Sequence, residues 1–353
     1  MKAMSLFAGG GIGETYFNDI NIQTVIANEL LKDRADVYKY RFPETDMIVG
    51  DIKEKKSELI EKAKKENIDL LIATPPCQGM SNLGKRDYAC DERNFLIFDV
   101  FDILDELLPK YVFIENVPKF LKMNYPYNGD IKPLIDILNE KYGNIYEIKH
   151  GVYNAVDYGV PQSRKRAIIR FYKKGLAWND PKKQTHKTLR DAIGHLPSIE
   201  SGEDSGIPYH YGPKHSQKHI ETIKHTPTGK SAFDNTVYFP KRNDGKRVSG
   251  YHNTYKRLSW DVPCPTRTMN SNAISGSNNC HPGRLLPDGT YSDARVLSLL
   301  ELFIVTSLPE NIKFPENASE KLLRQIIGEG IPPLMSKAFL EQISNITNKT
   351  KEK

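Results

Sequence analysis

The order of predicted elements indicates an α/β protein with a doubly wound, mostly parallel sheet and a second, smaller, irregular β-rich domain. Short apolar segments alternate with helical segments, among them a predicted helix over 130–141, as far as about residue 172, which is typical of parallel sheets covered by crossover helices. Gly, Pro, Asn, Ser and His then replace the periodic pattern until about residue 290, after which helical patterning returns. We therefore expect a main domain at 1–183 plus 318–353, a second domain at 184–292, and a hinge segment at 293–317.

The charge balance suggests a polyanionic partner. The net charge is +6, yet residues 214–284 contain twelve Lys or Arg against four Asp or Glu, which gives +8 in that stretch. Eight of the nine histidines lie between His186 and His281. An ordinary solvated face would account for this composition, and a nucleic-acid surface is the sharper interpretation.

Composition excludes several other classes of protein. No apolar stretch approaches the roughly 18 residues of a membrane span, and the chain enters a strand and a glycine turn at once, so we expect no signal peptide. Four cysteines without a C-x-x-C pair indicate neither a zinc ribbon nor a disulfide framework, and a reducing cytoplasm is the simplest setting. His215 and His219 have helical spacing, but no third ligand completes a metal set, so we expect no metal.

The first three strands end in residues suited to a nucleoside. Gly9, Gly10 and Gly11 follow the first strand, where a glycine-rich turn allows a ligand to approach the backbone beside a helix N-terminus. Glu29 ends the second strand, twenty residues past Gly9, where a carboxylate can accept both ribose hydroxyls. Asp51 ends the third strand. No Gly-Lys-Ser/Thr phosphate loop is present, which argues against a nucleoside triphosphate.

The fourth strand, 70–73, leads directly to a candidate nucleophile. Thr74-Pro75-Pro76 stops the strand and Cys77 follows. The carboxyl ends of strands in open α/β sheets are where ligands bind. Cys77 is therefore either a nucleophile or a buried structural cysteine, and the residue alone does not decide between them. The polar segment 81–94 that follows has the length of a lid.

Two further signals lie on the same predicted rim. The strand at 111–114 ends in Glu115, which we expect beside the strand that leads to Cys77. A basic turn enters the strand at 167–171, and its alternate side chains, Arg164 and Arg166, can point the same way. Plain phosphate contact is the alternative role for these two arginines.

Taken together and in order, these segments resemble the DNA (cytosine-5)-methyltransferase family over nearly the whole chain. Residues 7–11 resemble its cofactor loop, Glu29 and 50–52 its adenosine-binding acids, and 75–78 (Pro-Pro-Cys-Gln) its nucleophile motif. Glu115-Asn116-Val117 resembles its acid motif and 162–166 its arginine motif. Its C-terminal motifs are matched, in order, by residues 257–260, 265–268, 281–282 and 328–333.

The resemblance implies a Rossmann-like S-adenosylmethionine methyltransferase sheet, with 184–292 as the target-recognition domain. It implies four catalytic residues: Cys77, Glu115, Arg164 and Arg166. The implied S-adenosylmethionine contacts are Phe7, Ala8, Gly9, Gly10, Gly11, Glu29, Leu30, Asp51, Ile52, Pro75, Leu96 and Gly330. The implied DNA contacts are Ser81, Lys85, Arg86, Arg93, Arg242, Lys246, Arg247 and Arg267, with Asn243 a further candidate reader.

Three positions depart from the family pattern. Leu300-Glu301 stands where Arg-Glu is usual, which predicts the loss of an arginine link near the hinge. Glu329, within Gly-Glu-Gly, stands where asparagine is usual, and it could reach the amino acid end of the cofactor or face solvent. Ser5 replaces a more common aspartate.

The implied chemistry is covalent catalysis on a cytosine flipped out of the duplex. A thiolate of Cys77 adds to C6, so that C5 becomes nucleophilic enough to take a methyl group. A free cysteine is only about 3% thiolate at pH 7, and Arg164 could raise that fraction. Glu115 would donate a proton to N3 if burial raises its pKa. Arg164 would stabilise O2, with Arg166 as a second donor.

We expect a monomeric, cytoplasmic enzyme that acts on double-stranded DNA, with a cognate restriction endonuclease recognising the same site. An RNA cytosine-5 methyltransferase is the alternative within the fold. A nucleotide-binding oxidoreductase with a redox cysteine is the alternative from another class, although the glycine spacing and the missing resolving cysteine weigh against it. A non-catalytic DNA-binding homologue is the third alternative.

Overall fold

A computed structural model describes residues 1–76, 91–242, 244–248 and 252–351, with side chains as far as residue 343. Cys77, Ser81, Lys85, Arg86 and Asn243, for which the sequence predicts roles, lie outside the described residues.

The described residues form a central sheet, two short two-stranded sheets and helices. The strands are β1 Lys2–Leu6, β2 Gln23–Glu29, β3 Asp46–Val49, β4 Leu70–Ala73, β5 Tyr111–Asn116, β6 Asn124–Tyr127, β7 Asp130–Pro133, β8 Tyr146–Asn154, β9 Gln162–Ser163, β10 Lys165–Lys173 and β11 Cys264–Pro265. The helices are α1 Lys32–Arg41, α2 Ile52–Glu66, α3 Leu96–Leu107, α4 Leu134–Tyr142, α5 Leu189–Ile193, α6 Gln217–Lys224, α7 Leu299–Val305, α8 Glu320–Glu329 and α9 Pro333–Lys351.

The central sheet has the doubly wound topology that the alternation of elements predicts. Its strand order is β3-β2-β1-β4-β5-β10-β8. The first five strands are parallel to one another, and β10 runs antiparallel to both β5 and β8. The strand order reverses between β1 and β4, so the carboxyl ends of these two strands border the crevice where ligands bind in such sheets.

Apolar residues cover both faces of the sheet. One face packs against α2, α3 and α4, in a cluster that includes Leu59, Leu104 and Leu138. The other face packs against Trp178 and α9, whose Met335, Phe339 and Leu340 are fully buried. The C-terminal helix therefore returns to the sheet formed by the first half of the chain. This two-sided cover explains the continuous apolar sequences of β4 and β5.

A hairpin before α4 was not expected from the sequence. Helical patterning predicted a helix over 130–141, but β6 and β7 pair as an antiparallel hairpin and the helix begins only at Leu134. Asn128 and Gly129 occupy the turn with φ of 52° and 85°. An Asn-Gly pair with two positive φ angles is the preferred two-residue hairpin turn.

The region from 184 to 292 is irregular. Its described residues contain the short helices α5 and α6, the two-residue strand β11 paired with β9 of the main domain, and isolated single-residue bridges. A buried group of charges lies at the end of this region, where Arg295 is bonded to both oxygens of Glu301 (2.7 and 2.9 Å) and to Asp293 (2.8 Å). Leu300 is buried in apolar surroundings. The hinge therefore keeps an arginine link, contrary to the expectation from Leu300.

None of the helices formed by the described residues has the length and apolar character needed to cross a bilayer.

Candidate active site

The glycine turn after β1 has a backbone that only a glycine-rich sequence adopts easily. Phe7, Gly9 and Gly11 have φ of 59°, 55° and 68°. A Cβ atom on Gly9 would meet nothing within 4 Å, whereas one on Gly11 would lie 2.9 Å from Tyr38. The turn thus leaves open space beside Gly9 and packs closely on its other side. The Thr74 hydroxyl donates to the Phe7 carbonyl (3.0 Å), which joins the ends of β1 and β4.

Glu29 lies at the end of β2 and faces this turn. Its two carboxylate oxygens accept hydrogen bonds from the backbone N–H groups of Gly9 (2.8 Å) and Leu31 (2.9 Å). Burial raises the pKa of Glu29, and the hydrogen bonds from Leu31 and Gly9 oppose that effect. The neighbouring Leu30 is 59% exposed. An open apolar side chain therefore lies next to a fixed carboxylate, as a nucleoside site requires.

The end of β3 borders the same crevice. Asp51 is the N-cap of α2 and accepts from Lys53 N (2.9 Å), and Ile52 is the buried first residue of that helix. The Asn28 side chain donates to the carbonyls of Ile48 (2.9 Å) and Gly50 (3.1 Å). These bonds fix the ends of β2 and β3 relative to each other. Gly330, the C-cap of α8, lies against the turn after β1, because its Cβ would be 2.7 Å from Ile12.

The ends of β4 and β5 lie side by side, as the sequence predicts. Ala73 pairs with Ile114, so Glu115 follows directly on the same rim. The Asn116 amide donates to the carbonyl of Pro75 (3.0 Å), which ties the Pro-Pro segment to β5. Leu96 is the half-buried first residue of α3. Cys77 follows Pro76 in the chain but lies outside the described residues.

Glu115 is a buried acid with one close cation. Arg166 Nε lies 2.8 Å from Glu115 Oε1, although this oxygen lacks a partner with hydrogen-bond geometry among the described residues. Burial raises the pKa of Glu115, and the charges of Arg166 and Arg164 partly oppose it. A buried carboxyl with a raised pKa is the arrangement that a proton donor needs.

Arg164 has different partners from those expected. Its guanidinium donates to the carbonyls of Arg267 (2.7 Å) and Gly328 (2.7 Å), with longer bonds to those of Glu329 (3.3 Å) and Gly330 (3.2 Å). Burial lowers the pKa of Arg164 well below its usual value. The side chain that pairs with Glu115 is Arg166. The geometry therefore favours Arg166 over Arg164 as the cation beside Glu115.

Comparisons with known proteins show the family of this chain. The family model for C-5 cytosine-specific DNA methylases matches residues 1–345. The chain belongs to the C-5 cytosine-specific DNA methylase family. The predictions of a doubly wound methyltransferase fold and of a DNA cytosine-5 methyltransferase are thus confirmed, and membership of the family implies S-adenosylmethionine as the methyl donor.

Several relatives match nearly the whole chain. It is 48% identical to the Type II methyltransferase M1.HgaI of Avibacterium volantium, over 98% of each chain. It is 28% identical to the Type II methyltransferase M1.HphI of Haemophilus parahaemolyticus, over 96% of this chain and 86% of that one. Among solved structures, a DNA modification methyltransferase encoded within a prophage (E. coli) matches with a TM-score of 0.73 at 20% identity, over 99% of each chain. That last likeness concerns the fold alone.

The basic residues expected to contact DNA are not equally available in this family member. Arg267 is only 1% exposed and donates to the Pro265 carbonyl (3.0 Å), so its burial weighs against the predicted direct contact with DNA. Arg93 is exposed and paired with Asp91 (2.6 Å). Arg247 donates to the carbonyls of Phe233 (2.7 Å) and Asn235 (2.9 Å).

Arg242 and Lys246 are exposed near the tip of a short turn. The backbone N–H of Arg242 donates to the Lys246 carbonyl (2.8 Å). The guanidinium of Arg247 lies 3.7 Å from the ring centroid of Phe239 at the base of this turn. All three side chains are exposed, and Arg247 differs from the other two in holding the base of the turn together.

Sequence reasoning missed two residues that shape the site. Asn116 holds Pro75 in place, and the signal for it was present in the Glu-Asn-Val segment. Arg41 donates to the Gly10 carbonyl (2.6 Å) and to the Thr15 hydroxyl (2.8 Å) from the end of α1. Nothing in the local sequence indicates that Arg41 reaches the glycine turn, because these partners lie 31 and 26 residues away.

Proposed function

We propose that this protein is the modification methyltransferase of a restriction system, and that it methylates C5 of a flipped-out cytosine within a specific duplex DNA sequence. The observation that carries the proposal is the Glu115–Arg166 pair on the rim where the Pro-Pro-Cys segment leaves β4. The restriction-system context is supported by the relative named as a Type II methyltransferase at 48% identity. The expectation of a cognate endonuclease and a cytoplasmic, monomeric enzyme follows from that context.

The described residues fit S-adenosylmethionine. Glu29 offers a buried carboxylate held by two backbone N–H groups, and each oxygen keeps a lone pair that can accept a ribose hydroxyl. The open side of Gly9 allows close approach of a ligand to the backbone. The residues we assign to this pocket are Phe7, Ala8, Gly9, Gly10, Gly11, Glu29, Leu30, Asp51, Ile52, Pro75, Leu96 and Gly330. When bound, the cofactor supplies an electrophilic methyl group.

Cys77 is the nucleophile in this proposal. Its thiolate forms a bond to C6 of the flipped cytosine, which places electron density on C5. Glu115 donates its proton to N3 as negative charge develops in the ring, and its raised pKa keeps that proton available nearer neutral pH. After methyl transfer, loss of the C5 proton and elimination of the thiolate restore the aromatic ring, and the N3 proton returns to Glu115.

Arg166 is the cation that we assign to O2. Its side chain is paired with Glu115, so it lies where charge develops on the bound base. Arg164 acts as a positioning residue, because its Nη1 and Nη2 groups donate to backbone carbonyls. The proposal therefore keeps both arginines in the site and separates their roles.

DNA recognition is assigned to the second domain. We propose the division into a catalytic domain (1–183 plus 318–353), a target-recognition domain (184–292) and a hinge (293–317), supported by the return of α9 to the sheet. Arg242 and Lys246 are the base-edge candidates, since they are exposed, whereas the equally exposed Arg247 is bonded to the carbonyls of Phe233 and Asn235. Arg93 remains a phosphate candidate, as do Ser81, Lys85 and Arg86, which lie outside the described residues.

A methyl-transfer assay with labelled cofactor tests the function. Duplex DNA, an RNA of matching sequence and DNA lacking cytosine are offered in parallel, and the modified base is identified by mass spectrometry. We expect 5-methylcytosine in the duplex alone. Labelling of the RNA alone would replace this proposal with RNA methylation. Sequencing of converted genomic DNA from expressing cells would then define the target site.

A further inference from the structure

An ion pair joins two helices on the cofactor side of the site. Arg34 lies in the first turn of α1 and Glu329 is the last residue of α8. Arg34 Nε is 3.0 Å from Glu329 Oε2 and Arg34 Nη2 is 2.8 Å from Glu329 Oε1. The pair is thus bidentate, and the Arg34 side chain is only 12% exposed against 32% for Glu329.

Neither charge stabilises the helix that carries it. The helix dipole favours anions near an N-terminus and cations near a C-terminus. Here the cation is in the first turn of α1 and the anion is at the end of α8, so each is at the unfavourable end. Their mutual pairing offsets both. Such a pair is better explained by what it holds together than by helix stability.

On one side, the pair adjoins Glu29. The α1 helix begins directly after the Glu29–Leu31 hydrogen bond. The charge of Arg34 favours the ionised form of Glu29 and that of Glu329 disfavours it, so the three groups are close enough to influence one another. The first turn of α1 and the Glu29 carboxylate therefore form one local unit.

On the other side, the pair adjoins the turn at 328–330. Arg164 donates to the three carbonyls of this turn. Gly330 packs on Ile12 of the glycine turn, and Gly328 packs on the backbone of Thr268 and Met269. The backbone of the turn is thus fixed by Arg164, Ile12 and the backbone of 268–269, whereas its one charged side chain, Glu329, reaches Arg34 of α1.

We propose that Arg34 and Glu329 form a positioning pair that holds the first turn of α1, and with it Glu29, against the 328–330 turn. The pair explains why glutamate stands where the family usually has asparagine, since asparagine carries no charge to oppose Arg34. The inference rests on the proposed function, because it takes Glu29 as a cofactor residue. Neither residue touches the reacting atoms, so the pair affects cofactor binding and leaves the chemical step unchanged.

The test compares Glu329→Gln, Arg34→Gln and the double variant in the full-length protein. Asp36→Asn is the matched control, because it removes an ion pair of the same helix, Lys32–Asp36, that is exposed to solvent. Binding of S-adenosylhomocysteine is measured by calorimetry without DNA. The KM for S-adenosylmethionine and kcat are measured at saturating duplex DNA, and thermal unfolding without ligand reports folding.

We expect each single variant to weaken S-adenosylhomocysteine binding and raise the KM about fivefold, the scale of one partly buried ion pair. The double variant should lose no more affinity than the single variant that binds less tightly, since both changes break the same interaction. Values of kcat should stay within twofold of wild type, and Asp36→Asn should bind normally.

Wild-type binding by Glu329→Gln, or an equal loss in Asp36→Asn, would overturn the positioning role. A fall in kcat without a change in binding would overturn it too. A wild-type protein that binds S-adenosylhomocysteine but methylates no DNA would instead refute the proposed function, and the binding comparison among variants would still stand.

Discussion

The two arginines of the Gln-x-Arg-x-Arg segment should differ in the effect of substitution by methionine, which keeps the length of the side chain but removes its charge. Arg166 pairs with Glu115, whereas Arg164 donates to backbone carbonyls. Arg166→Met should therefore lose transition-state stabilisation. Removal of one preorganised donor of this type costs about 10²–10³-fold in kcat, or roughly 3–4 kcal/mol.

Arg164→Met should act on stability instead. It removes two hydrogen bonds of 2.7 Å and leaves the buried carbonyls of Arg267 and Gly328 without those donors. Each such loss costs about 1–3 kcal/mol, and relief of the buried charge offsets part of it, so we expect a net loss of about 3 kcal/mol. For a domain of this size that corresponds to a fall in Tm of roughly 6–12 °C.

The assay measures kcat at saturating cofactor and DNA, at a temperature well below both transitions, together with thermal unfolding by circular dichroism. We expect Arg166→Met to melt near wild type and turn over at least a hundredfold more slowly. Arg164→Met should melt early and keep kcat within about tenfold. The reasoning is refuted if Arg166→Met retains kcat within fivefold, or if Arg164→Met loses kcat with an unchanged Tm.

Three further predictions concern the nucleophile, acid stability and base recognition. Cys77→Ala should abolish methyl transfer while a gel-shift assay still detects DNA binding; residual turnover would exclude Cys77 as the nucleophile. Burial acts to raise the pKa of Glu301, but its buried partners, Arg295 above all, outweigh burial and lower it to about 2. The stability this gives is fully present above about pH 4.5 and is lost as the pH falls towards 2, on the order of 3 kcal/mol; denaturant titrations over that range should show the slope, and Glu301→Gln should flatten it. Arg242→Ala and Lys246→Ala should alter the preference among site-variant duplexes without a change in Tm, whereas Arg247→Ala should weaken methylation of all of them alike.

The strands that form the cofactor side of the site could be predicted because their sequence signals are local. The segment at 70–73 is apolar on both faces and ends at two prolines, so β4 has the bounds that the sequence indicates. The hairpin of β6 and β7 is also signalled locally, by Asn128-Gly129, but the helical periodicity of the following residues extends across its second strand. The two local patterns conflict over 130–133, and the fold follows the turn signal.

The roles of the arginines could not be predicted in this way. The two-residue period of a strand places Arg164 and Arg166 on one face, yet their partners differ completely. The position of the Arg164 side chain is determined by carbonyls that lie 103 and 164 residues away in the chain. The link between Arg34 and Glu329 spans 295 residues. No local pattern carries information about contacts of that separation, so the sequence identified the residue types of the site and the fold decided which of them faces the base.

Arg164, Arg257 and Arg267 are buried for a common physical reason. Where the chain lacks regular strands, its buried carbonyls lack the donors that a sheet ladder provides, and they still require them. Buried arginines supply these donors: Arg257 donates to four carbonyls, at 2.9 to 3.2 Å, and Arg267 donates to another. Both belong to the twelve basic residues of 214–284 that suggested a nucleic-acid surface, so at most ten remain for that surface. In an irregular region rich in arginine, the total positive charge therefore exceeds the charge available to bind DNA. The dependence of DNA affinity on salt should follow the number of exposed cations and not the total number.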